Sequence, residues 1–288
     1  MNFKKIINEV VDNFINEELS VSEKLIKGAS YATEHISKDF ARNYGNGGDV
    51  DGQIITNIKT LISFEEFGSV ECYVSVINFD SKEEIQELFE KYNFGGETDQ
   101  LNYRINITTM SIEEKIDKLF LYSTIYHEAE HAFQFLRKGG RLYNTTSSYN
   151  KAINVLNGKD VQHSSDEYVM VANLLYFYNK LEIEGNMNGL YGELIENGCN
   201  LNETNFKVNL DLYRNVFKDF INKYEKDIFD ETLKYFGITY GKLISFVERQ
   251  EEYITYRTRK IYQKAWIDLG KTVKENKKIS PLGIYLNK

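Results

Sequence analysis

Near the start of the chain, Phe3, Ile6, Ile7, Val10, Phe14 and Ile15 recur at helical spacing, and a second amphipathic stretch runs from about Ser22 to Phe40. The pattern predicts opening helices. NYGNGGDVDG (43 to 52) then concentrates Gly, Asn and Asp, which tolerate positive φ, so it reads as a loop and not as a twelve-residue calcium frame. Two runs rich in β-branched and aromatic residues follow, near Gln53 to Phe64 and Val70 to Phe79. Ser81 with Glu84 forms a capping box for a short helix to about Tyr92. LNYRINIT (101 to 108) alternates, with Leu101, Tyr103, Ile105 and Ile107 on one face and Asn102, Arg104 and Asn106 on the other. That is the pattern of a half-buried strand.

From Ser111 onward the periodicity is almost wholly helical. Ser111 with Glu114 reads as another capping box, and Gly139-Gly140 as a helix stop. Apolar residues at helical spacing continue through Phe246 to about Leu269. The expected fold is therefore α+β: an N-terminal α/β lobe over 1–110 with a mixed sheet, then a mostly helical lobe over 111–288.

Composition narrows the classes of function. At 288 residues, 42% of them hydrophobic, the chain can bury one large core or two modest ones. A net charge of −8 offers no positive field for nucleic acid or an anionic membrane. YITYRTRKIYQKAW (253 to 266) mixes basic and aromatic residues, but it fits a helix with a buried aromatic stripe and a solvated basic face. Cys72 and Cys199 match no metal or redox spacing and are expected as free thiols. With no secretory signal and no membrane-length apolar run, a cytoplasmic protein is expected; release by lysis or a specialised exporter would leave no mark in the sequence.

The candidate chemistry sits at residues 127 to 131, HEAEH, in a chain with four histidines. Positions i and i+4 lie about 40° apart around a helix, so His127 and His131 can aim at one point and bind one zinc. Glu128 lies about 100° around from His127, off the metal but within reach of an activated water as general base. Chance predicts about 0.008 such H-E-x-x-H matches in a chain of this composition.

These residues resemble the zincin metallopeptidases, whose zinc helix carries H-E-x-x-H; Ile125, Ala129, Ala132 and Phe133 suit the flanks, while Glu130 departs from the usual uncharged residue. The resemblance implies a substrate-pairing edge strand ahead of the helix, a place that LNYRINIT occupies. No metzincin-like third histidine follows. The gluzincin branch takes a downstream Glu with a small residue at i+3 and Asp or Asn at i+4, which Glu182 satisfies with Gly185 and Asn186. On this resemblance Glu182 is the third ligand and Asn186 supports a ligand histidine, with Glu184 the alternative ligand. Asn179 with Glu182 also reads as a plain capping box. Tyr178 and His163 are the candidates for an oxyanion donor. The tyrosine-rich run before E-I-E-small also looks like uncharacterised zincin-like proteins of bacteria and phages.

The expected function is a zinc metallopeptidase, one zinc per chain, acting on a peptide or protein. The alternatives are a zincin-like module without catalysis, and a di-iron helical protein built on the Glu128-x-x-His131 pair. Near His35 and His163 the sequence supplies no second Glu-x-x-His copy, since Ala32 and Asp160 stand three residues before them.

Overall fold

The computed structural model describes residues 3–50, 52–81, 84, 94–99, 102–137, 146–223 and 229–270. Among them it is α+β and mostly helical, with eight helices and a mixed sheet of six strands. The chain divides into two units, Met1–Leu142 and Tyr143–Lys288. The boundary falls after Leu142 and not after residue 110, so the HEAEH helix belongs with the sheet. Its apolar face, including Leu121, Ile125 and Ala129, is fully buried, which is why it packs as a layer of that unit.

In the first unit a single helix, α1 (Phe3–Asn43), runs through both of the amphipathic stretches. Leu25, Ala29, Ala32, Ile36 and Phe40 form its buried stripe. Gly28 permits a close approach to the sheet: a Cβ there would lie 2.4 Å from the carbonyl oxygen of Ser63. The strands are β1 (Gly48–Val50), β2 (Gln53–Ser63), β3 (Ser69–Phe79), β4 (Gly95–Asp99), β5 (Arg104–Ile112) and β6 (Lys115–Ile116). Their order is β1-β2-β3-β5-β4, with β6 also paired to β5. The β3–β5 pair is parallel, with Cys72 opposite Ile105 and Val74 opposite Ile107, and the other pairs are antiparallel. On β2 buried and exposed residues largely alternate, so one face carries the core.

Two expectations change here. LNYRINIT is not the edge strand: β5 begins at Arg104 and lies between β3 and β4, after Tyr103 turns the chain at φ 54°. The end of the order next to it is β4, GGETD, which has no apolar alternation to announce it. Likewise Ser111 and Glu114 do not cap a helix. Glu113 (φ 47°) and Glu114 (φ 63°) form the left-handed turn between β5 and β6. Asn78 Oδ1 fixes that turn by accepting from Ser111 Oγ and from the Glu114 backbone N–H, each at 3.0 Å.

Helix α2 (Lys118–Arg137) then starts at Asp117, whose Oδ1 accepts from the Phe120 N–H at 3.0 Å. Phe133 near its far end packs against Phe64 and Phe67, at 5.4 and 5.2 Å between ring centroids. The Gly139-Gly140 stop lies outside the described residues, as does most of the helix expected from Ser81. At its start, Ser81 Oγ accepts from the Glu84 N–H at 3.2 Å.

The second unit consists of α3 (Ser147–Leu156), α4 (Asp166–Phe177), α5 (Lys180–Glu196), α6 (Asn205–Asn222), α7 (Asp230–Phe236) and α8 (Tyr240–Asp268). On α8, Ile254, Ile261, Tyr262, Ala265 and Trp266 form the expected buried stripe; of the basic residues Arg259 is exposed, whereas Arg257 and Lys264 are largely covered and pair with Glu184 and Asp268. Cys72 and Cys199 are buried and form no disulfide. Among the described residues no helix is long and apolar enough to cross a membrane.

Candidate metal centre

Helix α2 presents His127 and His131 one turn apart, both half-buried. Their Nε2 atoms approach to 3.0 Å with the rings nearly perpendicular, at 81°. Two ring nitrogens that close either share one proton or aim two lone pairs at a common cation.

Glu128, between them in sequence, is 6% exposed. Thr98 on β4 holds it: the Thr98 hydroxyl lies 2.6 Å from Glu128 Oε2 and 3.1 Å from the Glu128 backbone oxygen. Two residues earlier on the same face, Gly96 lies directly against it, because a Cβ at that position would stand 2.3 Å from Glu128 Cγ. Strand β4 thus shapes the space that the carboxylate occupies. Cys72 on β3 feels the same group: burial, and after it the charge of Glu128, push its thiol pKa up to about 12. Glu130 is half-buried and accepts from Gln134 Nε2 at 2.5 Å, an i,i+4 pair along the helix.

In the second unit Glu182 lies in the first turn of α5 and is 5% exposed. Asn179 caps that helix by accepting from the Leu181 N–H at 2.9 Å. The Glu182 carboxylate takes a different partner, the hydroxyl of Tyr149 on α3, which donates to Oε1 at 2.6 Å. The Tyr149 ring stacks on Tyr176, 3° from parallel. Burial first, and then the Glu182 charge, push the Tyr149 phenol pKa up, so the hydroxyl stays protonated and donates.

His127, His131 and Glu182 each offer one ligand atom, and these atoms all lie within 4.8 Å of one another. Among the described residues this is the group of three that could hold a metal ion. Glu184 is directed elsewhere: its carboxylate pairs with Arg257 on α8 at 2.8 Å and accepts from the Tyr253 hydroxyl. Asn186 is half-buried one turn beyond Glu182.

Both candidate oxyanion donors have other structural partners. Tyr178 donates to Glu251 Oε1 at 2.7 Å, and Glu251 in turn pairs with Arg214 at 2.7 Å, so this phenol ties α4 to α6 and α8. His163 stacks on Tyr235 at 3.9 Å, and its Nδ1 lies 2.9 Å from Asp160 Oδ1. His35 lies 3.4 Å from Asp39 on α1.

Thr98, Gly96 and Tyr149 are the residues of this centre that the sequence does not mark. Their partners lie about thirty residues or more away, and no local pattern links them. No protein family, curated protein or solved structure matches the chain.

Proposed function

We propose that the protein is a zinc-dependent metallopeptidase of the gluzincin type, with His127, His131 and Glu182 as ligands and Glu128 as the general base. The observation that carries this reading is the convergence of the two imidazoles and the carboxylate. Two nitrogens and one carboxylate oxygen are the donor set of His₂Glu catalytic zinc sites. Donor atoms around a tetrahedral zinc stand about 3.3 Å apart, given ligand distances of about 2.0–2.1 Å, and the imidazole nitrogens are 3.0 Å apart. The imidazole pair therefore has about the spacing that zinc ligands require, and the Glu182 oxygen lies within 4.8 Å of both nitrogens.

When bound, zinc supplies Lewis acidity that polarises a carbonyl and makes a water acidic near neutral pH. The chain's own residues do the rest. Thr98 anchors Glu128 Oε2, which leaves Oε1 to take a proton from the attacking water and then deliver it to the leaving amine. Burial of Glu128 limits its access to bulk water.

The edge role expected of LNYRINIT passes to β4. This strand ends the sheet order beside β5 and carries the two residues that shape the Glu128 pocket. An extended peptide added to its outer edge forms backbone hydrogen bonds and runs past Glu128.

Cleavage of a fluorescence-quenched combinatorial peptide library by the zinc-loaded protein tests this reading, with Glu128→Gln as control. Cleavage by the parent and not by the variant is expected. A zinc-loaded parent that cleaves nothing would instead favour a non-catalytic zincin-like module.

A further inference from the structure

We infer that Tyr149 is a positioning residue of the metal centre: its hydroxyl fixes the Glu182 carboxylate in the rotation at which Glu182 presents an oxygen to the cation. This rests on the reading of Glu182 as the third ligand. A carboxylate on a helix's first turn can rotate about its own axis, and only some rotations aim an oxygen at a fixed point. The Tyr149 bond removes that freedom. At 2.6 Å it is in the range of charge-assisted O–H···O⁻ bonds, which are about twice as strong as neutral ones.

The donor is itself held on three sides. Its backbone N–H donates to Thr146 Oγ1 at 3.3 Å in the N-terminal cap of α3. Its ring lies parallel to Tyr176, with centroids 6.0 Å apart. The residue is 6% exposed, so solvent does not compete for the hydroxyl. A phenol has two torsions, and here packing constrains both. The oxygen that Glu182 meets is therefore fixed by α3 and α4, not by its own helix.

Histidine ligands are commonly oriented by a partner on their second nitrogen, and loss of such partners weakens metal binding about 10–100-fold. The same logic applied to the carboxylate gives the expected size of the effect.

The test is zinc affinity by competition with a chromophoric chelator, the visible spectrum of the cobalt(II)-substituted protein, and melting of the metal-free chain. The variants are Tyr149→Phe and Glu182→Ala. Tyr149→Phe keeps the ring and deletes the donor. It is expected to bind zinc about 10–100-fold more weakly and to shift the cobalt bands. Parent-like affinity and cobalt spectrum in Tyr149→Phe alongside a weakened Glu182→Ala overturns the role of Tyr149 and leaves the metal centre standing. A parent that takes up no zinc overturns both.

Discussion

Thr98 donates its hydroxyl to Glu128 Oε2 at 2.6 Å across thirty residues of chain, from the last-ordered strand of the sheet to the helix that carries HEAEH. One oxygen of the carboxylate is thereby fixed and the residue stays buried. Replacing Thr98 by Val removes the donor while keeping the shape. The expected result is a loss of about 1–2 kcal/mol in stability, because a buried carboxylate loses a partner. The kcat of the proposed peptidase activity should fall about tenfold or more, within the range that general-base catalysis commands. Thr98→Ser should restore most of both. Denaturant melts and steady-state kinetics on the three proteins check this.

Gly96 makes a sharper prediction. A methyl group there would meet Glu128 Cγ at 2.3 Å, closer than side-chain carbons tolerate, so Gly96→Ala forces Glu128 out of place. Zinc content should remain that of the parent and cleavage should fall by about 10²-fold or more, as expected for a misplaced base. Loss of metal and activity together would place the defect in folding, not in the base.

Glu184 separates the two candidate ligands. Its carboxylate pairs with Arg257 on α8, so Glu184→Ala should destabilise the second unit by about 1–3 kcal/mol and leave zinc binding intact. Glu182→Ala should do the reverse in emphasis, losing zinc. Metal analysis and thermal melts on the pair distinguish them.

Cys72 carries a pH prediction. Burial and the neighbouring Glu128 push its thiol pKa up to about 12, against an unfolded value near 8.5. The folded state therefore keeps the proton that the unfolded chain releases. The stability this contributes is fully present below about pH 8.5 and is lost as pH rises toward 12. In the folded protein Cys72 should resist iodoacetamide at pH 8.5 and react on unfolding, which mass spectrometry of the labelled peptide will show.

Local sequence signals identified what local physics decides. The α2 periodicity, the β2 and β3 runs and the α8 stripe all follow from side chains facing a core at fixed period. The spacing of His127 and His131 placed two nitrogens together because a helix does so by itself. What stayed hidden depends on tertiary pairing. GGETD lacks alternation because β4 is short and its glycine yields space to Glu128, so LNYRINIT drew the edge role. Ser111 and Glu114 have the spacing of a capping box, yet Asn78, on a neighbouring strand, fixes them in a hairpin turn. Tyr149 is one of 21 tyrosines, and nothing near it in sequence shows that it meets Glu182.

His127, His131 and Glu182 are proposed to hold one divalent metal ion. The most direct measurement is metal content by inductively coupled plasma mass spectrometry on chelator-free protein, for the parent, His131→Ala and Glu182→Ala. About one zinc per parent chain is expected, as in a single three-ligand catalytic site, with its loss in both variants. A parent that carries no zinc and takes none up when offered it, or zinc retained in both variants, would contradict it.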